Sequence, residues 1–188
     1  MSDREPVGNG TPDILPCTTR DLDTANAIIA EGVSGWNLTE RVKRLSLPLY
    51  QYDAADLKHL TIVLAIRNGV PAGVAAWEPA PPGQIPDGVH ALLLHGLYVR
   101  RDMQRQGIGS ALLCACRASA REQRLQGALI KAQADAAGFF DARGLQRLPV
   151  QQWDRDYELR YWLPARDPSP RATGRSSAGS PHSDQEPS

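Results

Sequence analysis

The run Val89–Val99, VHALLLHGLYV, restricts the fold more than any other stretch of the chain. Almost every side chain in it is apolar, without alternation, so it reads as a strand in the middle of a sheet with both faces covered. A polar loop, RRDMQRQ, follows at once. Then come Gly107-Ile108-Gly109 and a small-residue run with helical spacing, SALLCACRASAREQ, in which Ile108, Ala111, Leu112 and Ala115 share a face. A central strand that turns through a short basic loop into a helix is an α/β unit, and the rest of the chain must supply its cover.

The flanking segments do so in a definite order. DILPC (13–17) is a weak strand. The next helix starts at Thr18 or Thr19, either of which can cap it, and places Leu22, Ala25, Ile28 and Ile29 on one face. A second amphipathic segment, LTERVKRLSLPLYQY, breaks at Pro48. Thr61–Ile66 and Gly73–Trp77 flank a turn built on Asn68-Gly69, the clearest hairpin signal in the chain. After the Gly-Ile-Gly helix, GALIKAQA is another strand. DAAGFFDARG is a short helix ending at Gly144, and the segment from Leu145 to Pro164 closes as a strand pair. The order is β-α-α-β-β-β-α-β-α-β-β, a single mixed α/β domain over residues 13–164. Residues 1–12 are polar with Gly and Pro, and residues 165–188 carry no apolar side chain larger than Ala; both ends read as disordered.

Composition narrows the function. The chain has 21 Lys plus Arg against 21 Asp plus Glu, a formal net charge of zero, which argues against a general nucleic-acid binder. Cys17, Cys114 and Cys116 make neither a disulfide framework nor a paired zinc knuckle, and read as small buried thiols in a reducing compartment. No metal site is expected. The N-terminus lacks the pattern of a signal peptide, and no apolar run approaches the roughly 18 residues that span a bilayer. A cytoplasmic protein without membrane contact is expected.

The glycine pair fails two phosphate-loop tests. A dinucleotide fingerprint needs a third Gly where Leu112 stands, and the P-loop string is missing. A third pattern fits: the orphan amides of a helix's first turn make an anion site, with Arg100, Arg101 and Arg105 around it. The same glycines also fit a plain packing turn.

With Val99, Gln104, Gly107 and Gly109 at these spacings, the stretch resembles motif A of the GNAT superfamily of acyl-CoA-dependent N-acyltransferases: a strand ending in Val, then [RQ]-x-x-G-x-[GA], then a helix. AAGFFDARGL resembles that family's second motif through Ala136, Phe139 and Gly144, and the element order of residues 14–163 matches the fold. The resemblance implies a mixed, mostly antiparallel sheet with flanking helices and a central strand pair that splays, and acetyl-CoA as cosubstrate. It implies that the backbone of Leu97, Tyr98 and Val99 pairs with the pantetheine arm. It places the pyrophosphate on the amides from Gln104 through Arg105, Gln106, Gly107 and Ile108 to Gly109, with Ser110 beside them.

An attacking amine must be neutral, so a base is useful, and His suits the operating pH. His182 lies in the tail. His90 starts the central strand and reads as structural, and His59 precedes the hairpin. His95 lies within the apolar strand, in phase with Leu93 and Leu97, and is the candidate base. The chain is similar in this respect to arylalkylamine N-acetyltransferases, whose strand carries two His in phase; here the first position is Leu93. The family's usual proton-donating Tyr is Phe140 here, which leaves Tyr98, Tyr157 or a water as candidate acids. Trp36, Tyr50 and Tyr52 lie where this fold builds its acceptor pocket. Trp153, Tyr157, Tyr161 and Trp162 read as core or edge residues, and Glu31 and Glu78 stand at no readable place in the cleft.

The expected function is transfer of acetyl to the primary amine of a small molecule by direct attack, with a homodimer admitted. The alternative is a catalytically silent acyl-CoA-binding or regulatory domain, motivated by Phe140 and Leu93. A third reading is an α/β domain without a cosubstrate.

Overall fold

The computed structural model describes residues 10–86, 88–150 and 157–166. The expected tails lie almost wholly outside these residues, as do Trp153 and His182. The strands are β1 (Asp13–Pro16), β2 (Thr61–Arg67), β3 (Val70–Pro79), β4 (Ala91–Val99), β5 (Gly127–Lys131), β6 (Gln146–Leu148) and β7 (Arg160–Pro164). The helices are α1 (Leu22–Ser34), α2 (Glu40–Ser46), α3 (Ile108–Glu122) and α4 (Ala137–Asp141). The expected element order holds throughout.

The strands form one sheet in the order β1-β2-β3-β4-β5-β7-β6. Every neighbouring pair is antiparallel except β4 and β5, which run parallel. β4 is the central strand. The β2–β3 turn has Asn68 at φ 52° and Gly69 at φ 76°, the left-handed pair that a tight hairpin requires. The entry to α1 is fixed by a capping box: Thr18 N and Thr18 Oγ1 both donate to Asp21 Oδ2, at 2.8 and 2.6 Å.

The two faces are covered separately. Leu22, Ala25, Ile28, Ile29 and Val33 of α1 are buried with Ile62, Leu64, Val74, Ala76 and Tyr98. On the opposite face, α3 and α4 pack on Val63, Ala75, Trp77, Leu92 and Leu94. Each large aliphatic side chain buried this way contributes about 1.5–3 kcal/mol before entropy is counted. The buried stripe of α3 is Ile108, Gly109, Leu112, Leu113, Cys116 and Ala120. Ala111 and Ala115, expected on that stripe, are half-buried at its margin, because the helix turns Leu112, Leu113 and Cys116 most directly to the sheet. Cys17 and Cys116 are buried, but Cys114 is exposed, contrary to the expectation for all three thiols.

α2 buries none of its residues, and no helix among the described residues is long and apolar enough to cross a membrane.

Candidate active site

The site begins where the sheet opens. β4 and β5 pair only from Ala91↔Gly127 to Leu94↔Ile130. Beyond Leu94 the second half of β4 keeps its partner β3 but has none on the β5 side among the described residues, so the expected splay is present. Arg100 N donates to Ala72 O at 2.9 Å. Strand alternation back from that bond turns the backbone groups of Val99 and Leu97 toward the seam and those of Tyr98 toward β3. Leu97 and Val99 therefore meet the seam through their backbone, and Tyr98 does not.

At the end of β4 the chain enters the loop before α3. Arg101 N donates to Glu31 Oε1 at 2.6 Å, so α1 fixes the start of this loop. Arg100 lies 3.7 Å from Glu31 and 3.5 Å from Asp102, which commits its charge locally. Arg105 has φ 62°, a left-handed conformation costly for a residue with a Cβ, and Gly107 has φ 82°. Together they turn the chain so that α3 starts facing the seam. Gly107 is the N-cap of α3, and no side chain among the described residues caps that helix. By contrast, Thr39 Oγ1 accepts from Val42 N at the start of α2. The first-turn amides of α3 are thus left for another acceptor, at the positive end of a helix running to Glu122.

A cleft of about 680 Å³ lies over these amides, within the range of small-molecule sites. Leu97, Val99, Gln104, Gly107, Gly109 and Arg101 line one side; Ala136, Phe139, Phe140 and Arg143 line the other. The two glycines do different work. A Cβ on Gly107 would meet nothing within 4 Å, so its role is conformational. A Cβ on Gly109 would stand 2.9 Å from Phe139 Cε2, so that glycine lets α4 close on α3. Arg143 crosses the same junction. Its guanidinium lies 3.6 Å over the Phe139 ring, donates to Phe139 O at 2.9 Å, and donates twice to Ser110 Oγ, at 3.1 and 2.5 Å. The sequence offered no sign of Arg143, because its place depends on the α3–α4 packing. Ser110 presents its hydroxyl to Arg143, while Gln104 Nε2 reaches Val99 O at 3.5 Å.

His95 marks the inner end of the seam. β3 pairs Ala76 with Gly96 and Trp77 with Leu94, so His95 is the extra residue of a β-bulge. The bulge breaks the expected phase: Leu94 and Leu97, three apart, both pack on the α3 side. His95 instead meets Glu78, with Nε2 2.8 Å from Oε1. An ionised carboxylate only accepts, so Nε2 carries the hydrogen and Nδ1 is the accepting nitrogen. Glu78, which had no readable place in the sequence, is this ring's partner; Glu31 anchors the loop. His90, exposed, sits at the other end of β4, where its backbone bonds Gln126, and His59 lies exposed beside Asp56 at 3.7 Å.

Aromatic side chains gather on the α1 side of the seam. Trp36 lies edge-on to Tyr50 at 5.0 Å between centroids and stacks on Tyr98 at 6.5 Å. The Tyr98 ring fills the space left by two glycines: a Cβ on Gly32 would come within 2.9 Å of it and one on Gly96 within 2.5 Å. Tyr52 is tied to α1 by Asn26, whose Nδ2 donates to Tyr52 O and whose Oδ1 accepts from Tyr52 N, both at 2.8 Å. Burial pushes the Tyr98 and Tyr52 phenols well above their ordinary range, so both stay protonated. Phe140 is buried against Tyr161 and offers no proton.

Residues 31–145 match the model of the acetyltransferase (GNAT) family. Among curated proteins none matches the sequence. Solved structures share the fold. A GCN5-related N-acetyltransferase from Rhodopseudomonas palustris superposes with a TM-score of 0.60 at 21% identity, covering 82% of this chain and 94% of its own. The PaiA N-acetyltransferase from Thermoplasma acidophilum, solved with coenzyme A, gives 0.64 at 12% identity, with 82% and 99% covered. A GNAT acetyltransferase from Brucella melitensis, solved with acetyl-CoA, gives 0.57 at 17% identity, with 85% and 91% covered. The chain belongs to the GNAT acetyltransferase family and is an N-acetyltransferase with acetyl-CoA as its cosubstrate.

Proposed function

We propose that the chain transfers the acetyl group to the primary amine of a cytoplasmic small molecule by direct attack on the thioester. The observation that carries this reading is the uncapped start of α3 facing the open β4–β5 seam. The amides from Gln104 to Gly109 hold the pyrophosphate, with Ser110 and Arg143 at its flank. Leu97 and Val99 offer backbone partners to the pantetheine arm. Arg101 and Arg105, which make no ion pair among the described residues, add positive charge to the rim. His95 Nδ1 takes the proton from the amine, and Glu78 holds the ring in the tautomer that allows it. Trp36, Tyr50 and Tyr52 form one wall of the acceptor pocket, which favours an amine with an apolar or aryl body.

The test is a calorimetric titration with acetyl-CoA, followed by thiol release across a panel of amines. Micromolar affinity is expected, lost in Gly107→Glu with the circular dichroism of the fold unchanged. No binding by folded protein removes the reading.

A further inference from the structure

We propose that the outer face of α2 docks the protein on an anionic lipid surface. The helix and the short 3-10 turn that continues it, Leu47–Leu49, bury none of their residues completely. One side still rests on the molecule. Lys43, Ser46, Leu47 and Tyr50 are half-buried there, and Leu47 and Tyr50 pack against the core under α1. Lys43 Nζ donates to Ser34 O at 2.8 Å and to Glu40 Oε1 at 2.9 Å. The outer side of an ordinary surface helix is polar. Here it is apolar. Leu38, Val42, Leu45 and Leu49 are 43, 43, 65 and 82% exposed, and their spacing puts them in one row along the helix. The other exposed large apolar side chains, Leu15, Val70 and Tyr157, lie on three separate segments, as scattered surface residues do.

The charge beside this row is of one sign. Arg41 and Arg44, along its edge, are exposed and form no ion pair among the described residues, while the single acid of the helix, Glu40, is taken by Lys43. An apolar row edged by unpaired arginines fits a surface that is apolar below and anionic above. Leucines enter the boundary between head groups and acyl chains, and arginines stretch their stems along the apolar side to reach phosphates. From Thr39 to Leu49 the segment is about 16 Å long, so it lies in the plane of such a surface and cannot cross it. The expectation of no membrane contact concerned spanning runs, and this contact needs none.

Other occupants fit less well. The segments outside the described residues offer little cover. Residues 167–188 contain no Leu, Ile, Val, Met, Phe, Tyr or Trp; of these types residues 1–9 add only Met1 and Val7, and residues 151–156 only Trp153. A second copy packed antiparallel on the row would bring the two pairs of arginines to the same side, like charge against like. Four side chains also fall short of the about 800 Å² per partner that a standard interface buries. The row is a ridge and not a groove, with its most exposed member, Leu49, at one end. A ridge suits a soft surface, whereas a bound peptide helix takes a groove.

The test is sedimentation of the full-length protein with vesicles of phosphatidylcholine alone and of phosphatidylcholine with an equal share of phosphatidylglycerol. Binding to the mixed vesicles is expected, and it should weaken at high salt. Arg41→Gln with Arg44→Gln should reduce it about thirtyfold, the loss of two arginines near the surface. Leu45→Ser with Leu49→Ser should reduce it about tenfold or more, with the circular dichroism of the fold unchanged. No sedimentation of folded wild-type protein with the mixed vesicles overturns the proposal. So does binding that either double variant retains in full, or binding equal on the two kinds of vesicle. A dimer seen by analytical ultracentrifugation and dispersed by Leu45→Ser with Leu49→Ser overturns it in favour of a second copy.

Discussion

His95 Nε2 and Glu78 Oε1 stand 2.8 Å apart, across a bulge that leaves His95 without an opposing residue on β3. The bulge is what makes the pair: in unbroken register His95 would have had a strand partner and the alternation of its neighbours. His95→Ala is expected to lower kcat about a hundredfold with little change in the KM for acetyl-CoA, once an acceptor is in hand. Glu78→Gln should cost about tenfold, because an amide can present its N–H to the ring and reverse which nitrogen accepts. Wild-type kcat in both variants removes this pair from the proton path.

Arg143 ties the start of α3 to α4 through Ser110 and the Phe139 carbonyl. Burial lowers its pKa, yet it remains a cation. Arg143→Ala should weaken acetyl-CoA binding by about 1–2 kcal/mol, five- to thirtyfold, and the difference should shrink at high salt. Calorimetry at two salt concentrations checks both statements.

The two glycines of the loop predict different damage. Gly107→Ala meets open space but must hold φ 82°, at a cost of about 1–2 kcal/mol. Gly109→Val puts its Cβ 2.9 Å from Phe139 and adds two methyl groups to that crowding, so about 3 kcal/mol or more is expected. Urea unfolding of the two variants reads the order directly, and a reversed order removes the division of roles.

Burial pushes the Cys116 thiol up to about 12 and the Cys17 thiol up to about 11, with Asp21 adding to the latter. An unfolded thiol titrates near 9. Between about 9 and about 12 the unfolded chain therefore releases protons that the folded chain retains, and stability falls as pH rises. The raised Tyr52 and Tyr98 phenols add to the fall above 10. Unfolding free energies at pH 8 and pH 10 should differ by a few kcal/mol at most, and Cys116→Ala should flatten part of that slope. At pH 8, Ellman's reagent should modify the exposed Cys114 at once in native protein and the other two thiols only after unfolding.

Much of this molecule is legible in its residues. The unbroken apolar run of β4 announces a central strand, Asn68-Gly69 fixes the hairpin, and Thr18 or Thr19 marks the entry to α1. The left-handed glycine and its bare helix start can be read from Gln104 to Gly109. What cannot be read is whatever depends on register or on contact between distant elements. Glu78 meets His95 only because one residue of β4 goes unpaired, and no local pattern encodes that. Arg143 reaches Ser110 only after α4 has docked. Gln133 and Tyr157 meet because β7 inserts beside β5 ahead of β6, an ordering that the sequence of strands does not state. The face of α3 carrying Ile108, Leu112 and Ala115 is legible too, while the burial of Leu113 and Cys116 beside it depends on how the helix rolls against the sheet.

The short β4–β5 seam has a consequence for the upkeep of the protein. Four residue pairs join β1–β4 to β5–β7 directly. Below them the sheet has an inner edge, where the Leu97 backbone faces the seam and Val99 O accepts from Gln104 Nε2 at 3.5 Å. A donor that bonds this edge acts as a strand-length of mortar between two half-sheets, and whatever binds only the folded state stabilises it by mass action. At a hundredfold excess over Kd that is about 2.7 kcal/mol, a sizeable part of a domain's margin. If acetyl-CoA binds along this edge as proposed, its level also sets how often the half-sheets part.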